Sequence, residues 1–590
     1  MNKQKCDVLN AIKAEKFINQ RRTAEISGHS LGIVNRSIKE LQKEGYLSEN
    51  LTLTDKALSE YEDKAPARAI ILAAGFGMRM VPINTEIPKA LLEVNGERLI
   101  ERQINQLHEV GITEIYVLVG FMKERFEYLI DKYGVKLIVN AKYASKNNIH
   151  TLKLAVRYLS NAYIVPCDVW CDQNPFRRNE LYSWYMVSDF VDEESSVRIN
   201  RKMELVRVNG GAGNAMIGIS YILKDDAVKL KERIEEFCAD SDYDNSFWEE
   251  ALYHKDRMTV AARVVHSSDV IEINTYEQLR ELDSNSRHLE TNAISTITDV
   301  FHAPSDQITE ITVLKKGMTN RSFMFSHKNV KYIMRIPGEG TDRLINRKNE
   351  ADVYRAIAGK GLCDTPVYFD STNGYKITKF LDGVRVCDTE NEDDLCSCMA
   401  KLRSFHEMNI KVEHEFDIFG QIRFYESLWN GAPSIYEDYD ETVKNVFSLK
   451  GYIEAHAKEK CLTHIDAVPD NFLFYNSGNG EELQLTDWEY AGMQDPHVDV
   501  AMFCIYSLYE REQVDKLISI YFKGRCEDSI RTKIYCYIAA CGLLWSNWCE
   551  YKRQLGVEFG EYSLRQYRYA KDFFRIAAER IRNTEGDFLK

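Results

Sequence analysis

A short apolar run at residues 69–72 leads without interruption into closely spaced glycines at residues 75–77. A strand that ends in such a turn exposes backbone N–H groups and lets another group approach them closely. Farther along, apolar stretches such as residues 115–119 alternate with helical stretches such as residues 99–110. Because this alternation lasts to about Asp283, it predicts a mostly parallel α/β sheet whose first strand carries the turn.

Regions of different pattern lie on either side of this α/β stretch. At 590 residues the chain is longer than one hydrophobic core usually serves, so several domains are expected. After a polar stretch at residues 284–295, three short strands precede a long helix-rich half, which predicts a small β lobe and a large α lobe. The predicted fold class is therefore multidomain, α/β and α+β. The predicted domain boundaries are residues 1–66, 67–290 and 300–590.

The first sixty or so residues have the pattern of three short amphipathic helices and a polar strand pair. The break at residues 27–30 separates two of the helices in a helix-turn-helix outline. Residues 51–54 resemble the wing of the winged-helix family, and the resemblance covers roughly residues 8–61. Many such modules bind DNA and others mediate protein contacts, so both interpretations stay open.

Composition excludes few classes of function. The net charge of -14, from 76 basic and 90 acidic side chains, gives no electrostatic reason to expect a general binder of nucleic acids or membrane surfaces. The first residues lack a signal-peptide core and no apolar stretch reaches the length of a bilayer span, so a cytoplasmic protein is expected. The 14 cysteines show no paired metal-ligand spacing, which favours reduced, mostly structural thiols.

The glycine turn within residues 72–80 is followed by two cations, Arg79 and Lys89. Backbone N–H groups and nearby positive charge together suit a triphosphate. The combination resembles the nucleoside-triphosphate transferase family of sugar-nucleotide and phosphocholine cytidylyltransferases, over about residues 67–283. The resemblance implies a Rossmann-like domain, CTP as co-substrate and catalytic roles for Lys89 and Arg79. The nucleotide-binding residues that it implies are Leu72, Ala73, Ala74, Gly75, Gly77 and Asn147.

The same resemblance implies a Mg²⁺ site. Asp168 follows an apolar strand, as does the family's aspartate that holds Mg²⁺ against the nucleotide phosphates. Residues 270–274 match a segment in which the phosphocholine branch carries a Glu-x-Asp metal pair. Glu272 is retained, whereas Asn274 replaces the Asp and leaves one negative charge fewer. Asn274 is kept in the predicted metal set because an amide oxygen can bind a hard cation.

Phe247, Trp248 and Glu249 resemble the elements with which the phosphocholine branch holds a trimethylammonium group. A quaternary ammonium cannot donate hydrogen bonds, so its recognition needs aromatic faces and a nearby anion. Phe190 is predicted to complete this cage. The alternative is that these aromatic side chains belong to the ordinary core.

A second set of chemical residues lies in the spacing H-x-D-x-x-x-x-N at residues 464–471. Asp466 can orient an acceptor hydroxyl, and Asn471 and the later Asp487 can bind metal, which are the groups that phosphoryl transfer needs. The region resembles the choline/ethanolamine kinase and aminoglycoside phosphotransferase superfamily. That superfamily has the bilobal protein-kinase-like fold and takes ATP with Mg²⁺.

The upstream strands carry matching elements. Thr319 and Asn320 resemble the turn that covers the nucleotide, and Arg335 lies where the choline-kinase branch has its phosphate-binding base. Glu350, near the start of a predicted helix, is expected to pair with Arg335.

Trp545 and Trp548 lie three residues apart and hence on one helix face. They resemble the W-x-x-W with which choline kinases enclose the quaternary ammonium. Tyr490, Tyr562 and Tyr567 are predicted as further walls, although an aromatic stripe at helical spacing is more often core.

The two resemblances imply consecutive reactions, since phosphocholine is the product of one and the substrate of the other. The predicted function is phosphorylation of choline with ATP, followed by transfer of CMP from CTP to phosphocholine. Alternatives keep both reactions but use ethanolamine, another amino alcohol or a sugar phosphate. A different class of function is a choline-responsive regulator that binds DNA through the winged helix.

Overall fold

The computed structural model describes two compact units, Met1–Thr291 and Asn292–Lys590. Among the described residues, no helix combines the length and the apolar character that crossing a membrane requires. The three predicted domain boundaries and the cytoplasmic location stay predictions. The residues described are 1–193, 195–200, 203–208, 212–314, 320–338, 341, 344–363, 365–476, 480–554 and 559–584.

The first unit begins with a helical module. Its helices are α1 (Lys3–Glu15), α2 (Gln20–Ser27), α3 (Leu31–Lys43) and α4 (Asp55–Asp63). Gly28, with φ +68°, ends α2 in the left-handed region that glycine adopts easily. The predicted strand pair is reduced to a single bridge between Leu47 and Leu53. Sequence analysis missed α4, whose start is capped by the Thr54 hydroxyl accepting from the Ala57 N–H.

An α/β domain follows. Its strands are β1 (Arg68–Ala73), β2 (Glu93–Val94), β3 (Glu97–Arg98), β4 (Glu114–Val119), β5 (Lys136–Val139), β6 (Ala162–Pro166), β7 (Val169–Cys171), β8 (Trp184–Asp192), β9 (Val197–Ile199), β10 (Glu204–Arg207), β11 (Gly213–Ile222), β12 (Tyr253–His254), β13 (Arg257–Val265) and β14 (Val270–Glu272). Its helices are α5 (Leu99–Glu109), α6 (Tyr128–Tyr133), α7 (Asn148–Lys153), α8 (Lys224–Phe237) and α9 (Tyr276–Leu282).

The main sheet has the order β5-β4-β1-β6-β11-β8-β13-β10-β9, with β12 beside β13. Strands β5, β4, β1 and β6 are parallel, as predicted, whereas β11 runs antiparallel to both β6 and β8. The sheet is therefore mixed. Ile71 belongs to the core on one face and Ile70 to the core on the other, as the alternation of side chains along a strand requires. This double burial explains the continuous apolar run of β1.

The second unit has the predicted β lobe followed by an α lobe. Its strands are β15 (Thr309–Val313), β16 (Asn320–His327), β17 (Val330–Pro337), β18 (Tyr368–Phe369), β19 (Lys376–Lys379), β20 (Arg385–Val386), β21 (Cys461–Thr463), β22 (Phe472–Asn476), β23 (Glu481–Leu485) and β24 (Gly492–Gln494). Its helices are α10 (Asn292–Phe301), α11 (Arg347–Ile357), α12 (Glu392–Glu407), α13 (Ile418–Ser427), α14 (Tyr439–Ser448), α15 (Lys450–His456), α16 (His497–Tyr506), α17 (Arg511–Tyr521), α18 (Asp528–Gln554) and α19 (Glu561–Thr584).

The β lobe is a sheet of order β15-β16-β17-β19-β18. In the α lobe, helix α18 is buried on nearly all sides and packs against α13, α14, α15, α16 and α19. A helix that is apolar all round belongs in the middle of a core. The predicted multidomain fold class is confirmed by this arrangement of helical module, α/β domain and bilobal unit.

Candidate active sites

A cavity of about 740 Å³ opens at the carboxyl ends of β1 and β6 in the first unit. Ligands of α/β sheets bind at this edge because the turns after the strands leave backbone groups and side chains free there. The predicted residues that line this transferase cavity are Leu72, Ala74, Gly75, Gly77, Arg79, Lys89, Asn147, Asp168, Phe247, Trp248, Glu249, Glu272 and Asn274.

The glycine turn sets one wall of the transferase cavity. Gly77 has φ +68°, a conformation that other residues adopt only with strain. It lies against Lys89, since a Cβ built on Gly77 would be 3.4 Å from Lys89 Cδ. Lys89 itself is buried and starts a short 3₁₀ helix, Lys89–Leu91. The turn thus packs directly on the lysine that it is predicted to act with.

Two cationic side chains that line this cavity donate hydrogen bonds to its polar side chains. Lys89 Nζ donates to Asp168 Oδ2 at 2.6 Å and to Asn274 Oδ1 at 2.7 Å. Arg79 Nη2 also donates to Asn274 Oδ1, at 3.0 Å. Arg79 and Lys89 therefore contact side chains that lie 79 to 195 residues farther along the chain.

The carboxylates of the cavity are held by neighbouring strands. Strand β14 pairs with β7, and the Ile273 N–H donates to the Asp168 carbonyl at 2.9 Å, so Glu272 and Asp168 share one edge. Burial and the charge of Asp168 raise the pKa of Glu272. Asp168 Oδ1 is buried and has no hydrogen-bond partner among the residues that the structure describes. Such an oxygen is available to a ligand.

Another part of the cavity lining is aromatic and acidic. Trp248 is buried in a 3₁₀ helix, Trp248–Leu252, and its backbone N–H donates to Asn148 Oδ1 at 2.8 Å. Glu249 Oε1 accepts a hydrogen bond from the Tyr185 hydroxyl at 3.1 Å. Burial raises the pKa of Glu249 to about 7, against the opposing effect of its hydrogen bonds. Phe247 lines the cavity but is largely exposed.

Among the other predicted residues, Asn147 lines the transferase cavity. Asn147 caps α7, its Oδ1 accepting from the Asn148 N–H at 2.7 Å. Ala73 is buried in β1 and Phe190 is 60% exposed on β8, and neither lines the cavity in the described part of the chain. The structure thus does not bring Phe190 to the predicted ammonium cage.

The second unit contains a cavity of about 890 Å³. It is lined by strands of the β lobe, by residues within 466–473 and 484–490, and by α18. The predicted residues that line this kinase cavity are Asn320, Arg335, Asp466, Asn471, Asp487, Tyr490, Trp545, Trp548 and Tyr562.

A buried ion-pair network closes one side of the kinase cavity. Arg335 donates to both oxygens of Glu350, at 2.5 and 3.0 Å, which is the pair that the family resemblance implied. Arg347 bridges Glu350 and Glu489, at 2.9 and 3.2 Å. Burial opposes ionisation of Glu350, yet the charges of Arg335, Lys376 and Arg347 lower its pKa to about 2. The ion pair with Glu350 thus fixes the position of Arg335, which lines the cavity.

The loop with Asp466 and Asn471 is fixed by hydrogen bonds. Asn471 Nδ2 donates to the carbonyl and to Oδ2 of Asp466, at 2.8 and 3.1 Å. Asp499 accepts the backbone N–H groups of His464 and Ile465, at 2.9 and 2.7 Å. Burial, followed by the charges of Asp487 and Glu489, raises the pKa of Asp466 to about 8. Burial of one carboxyl group beside two others disfavours its charged form.

Aromatic rings form another part of the lining of the kinase cavity. Tyr490 and Trp545 meet edge to face with centroids 5.6 Å apart, and Trp545 and Trp548 do so at 5.8 Å. Tyr562 lies 5.9 Å from Tyr506, which also lines the cavity. The indole N–H of Trp548 and the hydroxyl of Tyr490 are buried without a hydrogen-bond partner among the described residues.

Tyr567 is not part of this lining. Its ring stacks on Tyr436 with centroids 3.7 Å apart, and its hydroxyl contacts Asp438 and Thr442 at 2.8 and 2.9 Å. The structure therefore places Tyr567 in the core between α14 and α19. The predicted residue Thr319 lies outside the described residues.

Three family models match the chain. They are the winged helix-turn-helix DNA-binding model over residues 1–48, the MobA-like NTP transferase domain over residues 69–177 and choline/ethanolamine kinase over residues 311–522.

The first unit is also similar to curated cytidylyltransferases. The chain is 34% identical over 221 residues to the choline-phosphate cytidylyltransferase of Streptococcus pneumoniae, which covers 37% of this chain and 96% of that protein. It is 30% identical over 224 residues to the 2-aminoethylphosphonate cytidylyltransferase of Lancefieldella rimae, which covers 36% of this chain and 91% of that protein.

This chain belongs to the choline-phosphate cytidylyltransferase family.

The C-terminal half of this cytidylyltransferase-family chain has relatives of its own. It is 28% identical over 267 residues to protein LicA of Haemophilus influenzae, covering 42% of this chain and 96% of that protein. The crystal structure of choline kinase LicA from Streptococcus pneumoniae is 27% identical, covers 48% of this chain and 97% of that one, and has a TM-score of 0.42. The predicted fusion of winged helix, nucleotidyltransferase and choline/ethanolamine-kinase-like enzyme is confirmed.

The polar groups of both cavities suit a divalent cation that nucleotide phosphates help to bind. Asp168 and Glu272 offer hard oxygen ligands in one, and Asn471 and Asp487 in the other. In the described part of the chain, no three His, Cys, Asp or Glu side chains gather as a metal cluster. Mg²⁺ is commonly held by one or two carboxylates together with substrate phosphates, so the donor sets fit.

Sequence analysis missed several residues that contact the predicted site residues. They are Tyr185 and Asn148, which contact Glu249 and Trp248, and Arg347, Glu489 and Asp499, which hold the kinase residues in place. Most of these contacts join residues far apart in the chain, and no spacing rule indicates them. Glu489 is the exception, because it lies two residues after Asp487.

Proposed function

We propose that the chain phosphorylates choline with ATP and transfers CMP from CTP to the resulting phosphocholine, giving CDP-choline and pyrophosphate. One observation carries this proposal: each unit has a cavity whose lining combines cationic and carboxylate side chains with aromatic rings. Aromatic faces with a nearby anion are what a quaternary ammonium needs. The similarity to a choline-phosphate cytidylyltransferase and to choline/ethanolamine kinases supports the same substrates.

In the transferase cavity, Arg79, Lys89 and the backbone of the glycine turn would bind the CTP phosphates. An oxygen of the phosphocholine phosphate attacks the α-phosphorus, and the bond from that phosphorus to the bridging oxygen breaks. Pyrophosphate leaves with that bridging oxygen. Trp248 and Glu249, which line the same cavity, would hold the trimethylammonium group.

In the kinase cavity, Asp466 would orient the choline hydroxyl and accept its proton. The hydroxyl oxygen attacks the γ-phosphorus of ATP, and ADP leaves with the bridging oxygen. Arg335, fixed by Glu350, would bind the nucleotide phosphates. Trp545, Trp548 and Tyr490 would enclose the ammonium.

Mg²⁺ is the metal that both reactions imply. Asp168 and Glu272 would hold it in the transferase, and Asn471 and Asp487 in the kinase. When bound, it neutralises charge on the transferred phosphate group. The protein's own residues would position the two reacting groups beside it.

A second head group is favoured by one finding, since a relative of the first unit is named for 2-aminoethylphosphonate, a primary amine. Ethanolamine or another amino alcohol is therefore the alternative substrate of the kinase, and a primary ammonium or a sugar phosphate that of the transferase. A primary ammonium needs hydrogen-bond acceptors as well as aromatic faces.

DNA binding is a second candidate function for residues 1–66. Its support is the match to a DNA-binding winged-helix model and the exposed cations Arg36, Lys39 and Lys43 along α3. Retardation of promoter DNA by the full chain, with an Arg36→Ala, Lys39→Ala double variant as control, tests it. Equal migration with and without protein would remove the candidate.

Mass spectrometry of complete reactions tests the enzymatic proposal. Purified chain with choline, ATP and Mg²⁺ should form phosphocholine, and addition of CTP should convert it to CDP-choline. Omission of ATP should stop the sequence unless phosphocholine is supplied. Parallel reactions with ethanolamine identify the head group. If neither choline nor ethanolamine is phosphorylated by a folded preparation, the proposal is wrong.

A further inference from the structure

The Asn274 side chain contacts both cations of the transferase cavity and lines that cavity together with the carboxylates Asp168 and Glu272. Its Oδ1 accepts hydrogen bonds from Lys89 Nζ at 2.7 Å and from Arg79 Nη2 at 3.0 Å. The Asn274 amide also lies close enough to the Glu272 carboxyl to lower its pKa, against burial and the charge of Asp168, which raise it. A side-chain amide can interact with groups of either charge because it carries both an acceptor and donors.

The backbone holds this amide in place independently of the cations. The Asn274 N–H donates to Gln278 Oε1 at 2.7 Å, and Gln278 also forms the capping box at the start of α9 with Thr275. On the other side, the Ile273 N–H donates to the Asp168 carbonyl at 2.9 Å. The backbone of Asn274 is thus held in place, and the hydrogen bonds to its side chain can position the flexible side chains of Lys89 and Arg79.

The oxygens of Asn274 and Asp168 differ in availability. A carbonyl oxygen has two lone pairs, and Oδ1 of Asn274 already accepts two charged donors. Oδ1 of Asp168, in contrast, is buried and accepts no hydrogen bond from any residue that the structure describes. A divalent cation therefore finds a free oxygen on Asp168 and an occupied one on Asn274.

We propose that Asn274 is a positioning residue that holds Lys89 and Arg79 for the triphosphate, and that it is not a metal ligand. The protein ligands of the divalent cation are then Asp168 and Glu272. This inference rests on the proposed cytidylyl transfer. It replaces the expectation, drawn from sequence, that Asn274 belongs to the metal set.

Two binding measurements on the full chain separate positioning from ligation. Mn²⁺ binding without nucleotide is followed by the electron paramagnetic resonance of free Mn²⁺, and the part lost in Asp168→Asn defines the transferase site. CTP binding without metal, in EDTA, is followed by calorimetry. The variants are Asn274→Leu, which keeps the volume but loses the amide, and Asn274→Asp. Asn285→Leu, at an exposed asparagine outside the cavity, is the matched control.

The proposal predicts opposite responses of the two ligands. Asn274→Leu should keep the Mn²⁺ affinity within about two-fold, because both carboxylates remain. It should weaken metal-free CTP binding about ten-fold, because the cations lose their anchor. Asn274→Asp should bind Mn²⁺ about ten-fold more tightly, since a third carboxylate joins the site, and CTP more weakly. Asn285→Leu should leave both affinities unchanged.

Loss of Mn²⁺ binding in Asn274→Leu would overturn the inference. If Asn274 is a metal ligand, Asn274→Leu weakens Mn²⁺ binding about ten-fold or more and leaves metal-free CTP binding unchanged, and the inference is overturned. Should Asn274→Leu fail to fold, Asn274→Asp decides, since unchanged Mn²⁺ affinity together with unchanged CTP affinity also overturns it. Failure of the wild type to bind CTP at all overturns the proposed function and this inference together.

Discussion

Glu249 is a buried carboxyl group in a cavity proposed to take a cation. Burial raises its pKa to about 7, so near neutral pH about half of the molecules carry the proton there. Only the carboxylate attracts an ammonium. The KM for phosphocholine should therefore fall as the pH rises from 6 to 8, and initial rates of pyrophosphate release at several substrate concentrations measure this.

Glu249→Gln supplies the comparison, because glutamine keeps the shape but does not titrate in this range. Its KM for phosphocholine should be higher and independent of pH between 6 and 8, while the KM for CTP is unchanged. A wild-type KM that does not vary with pH would contradict the role of Glu249.

The raised pKa of Glu249 also affects the stability of the fold. Between pH 4.5 and about 7 the native state keeps a proton that the unfolded chain releases, so the free energy of unfolding falls as the pH rises through this range.

The kinase rings allow a test of the substrate. Replacing Trp545 or Trp548 by Leu keeps apolar bulk and removes the electron-rich face, at a cost of about 1–2 kcal/mol for a desolvated cation. The choline KM should rise about ten-fold with little change for ATP. Tyr567→Leu is the control, since Tyr567 contacts Tyr436 and not the cavity. Steady-state kinetics that are unchanged in both tryptophan variants would exclude the indole cage.

Residues were assigned to a common site where a motif spacing in the sequence linked them. The spacing of Asp466 and Asn471 predicts neighbours, and the structure connects them by two hydrogen bonds. Helical periodicity placed Trp545 and Trp548 on one face of α18. The orientation of isolated aromatic residues was not predictable, as Phe190 and Tyr567 show, because it depends on tertiary packing.

The elements differ in how strongly their sequence indicates them. Strands β1, β4 and β6 have continuous apolar runs because both of their faces are buried, and they were predicted within one residue or so. Helix α4 was missed because its apolar stripe is short, with Leu58 exposed. The direction of β11 was not predictable either, since a side-chain pattern records burial and not strand polarity.

Helix α1 packs on the α/β domain in a way that can be tested. Asp7 accepts from the Tyr182 hydroxyl at 2.8 Å, Lys13 donates to Asn179 at 2.9 Å, and Leu181 belongs to the core of the helical module. Leu181 is 1% exposed. Leu181→Ala should therefore lower the free energy of unfolding of the first unit by about 2–5 kcal/mol.

Urea denaturation followed by tryptophan fluorescence measures this effect in the full chain, and limited proteolysis within residues 1–63 reports the helical module. Leu154→Ala is the matched control, because Leu154 is 43% exposed and should cost less than about 1 kcal/mol. Equal stability of the two variants would mean that the helical module does not depend on its contact with Leu181.

At the scale of the whole chain, each cavity is built from residues of one unit alone. The two motif sets were recognisable separately from sequence because each carries its own strand-and-turn context. Whether one activity depends on the other is not encoded in either motif. Variants that disable a single cavity decide this.

Asp466→Ala removes the proposed base of the kinase cavity and leaves the transferase cavity intact. It should abolish choline phosphorylation, by about 10³-fold or more for loss of such a group, while supplied phosphocholine is converted to CDP-choline at close to the wild-type rate. Lys89→Met removes a charge proposed to bind phosphate and should have the reverse effect, with ATP still consumed in the presence of choline. An equimolar mixture of the two variants should then form CDP-choline from choline, ATP and CTP, because phosphocholine released by one protein can reach the other. Time courses by mass spectrometry measure all three cases. Loss of both activities in folded Asp466→Ala would refute two independent sites, whereas an inactive mixture of individually active variants would show that the intermediate does not leave the protein.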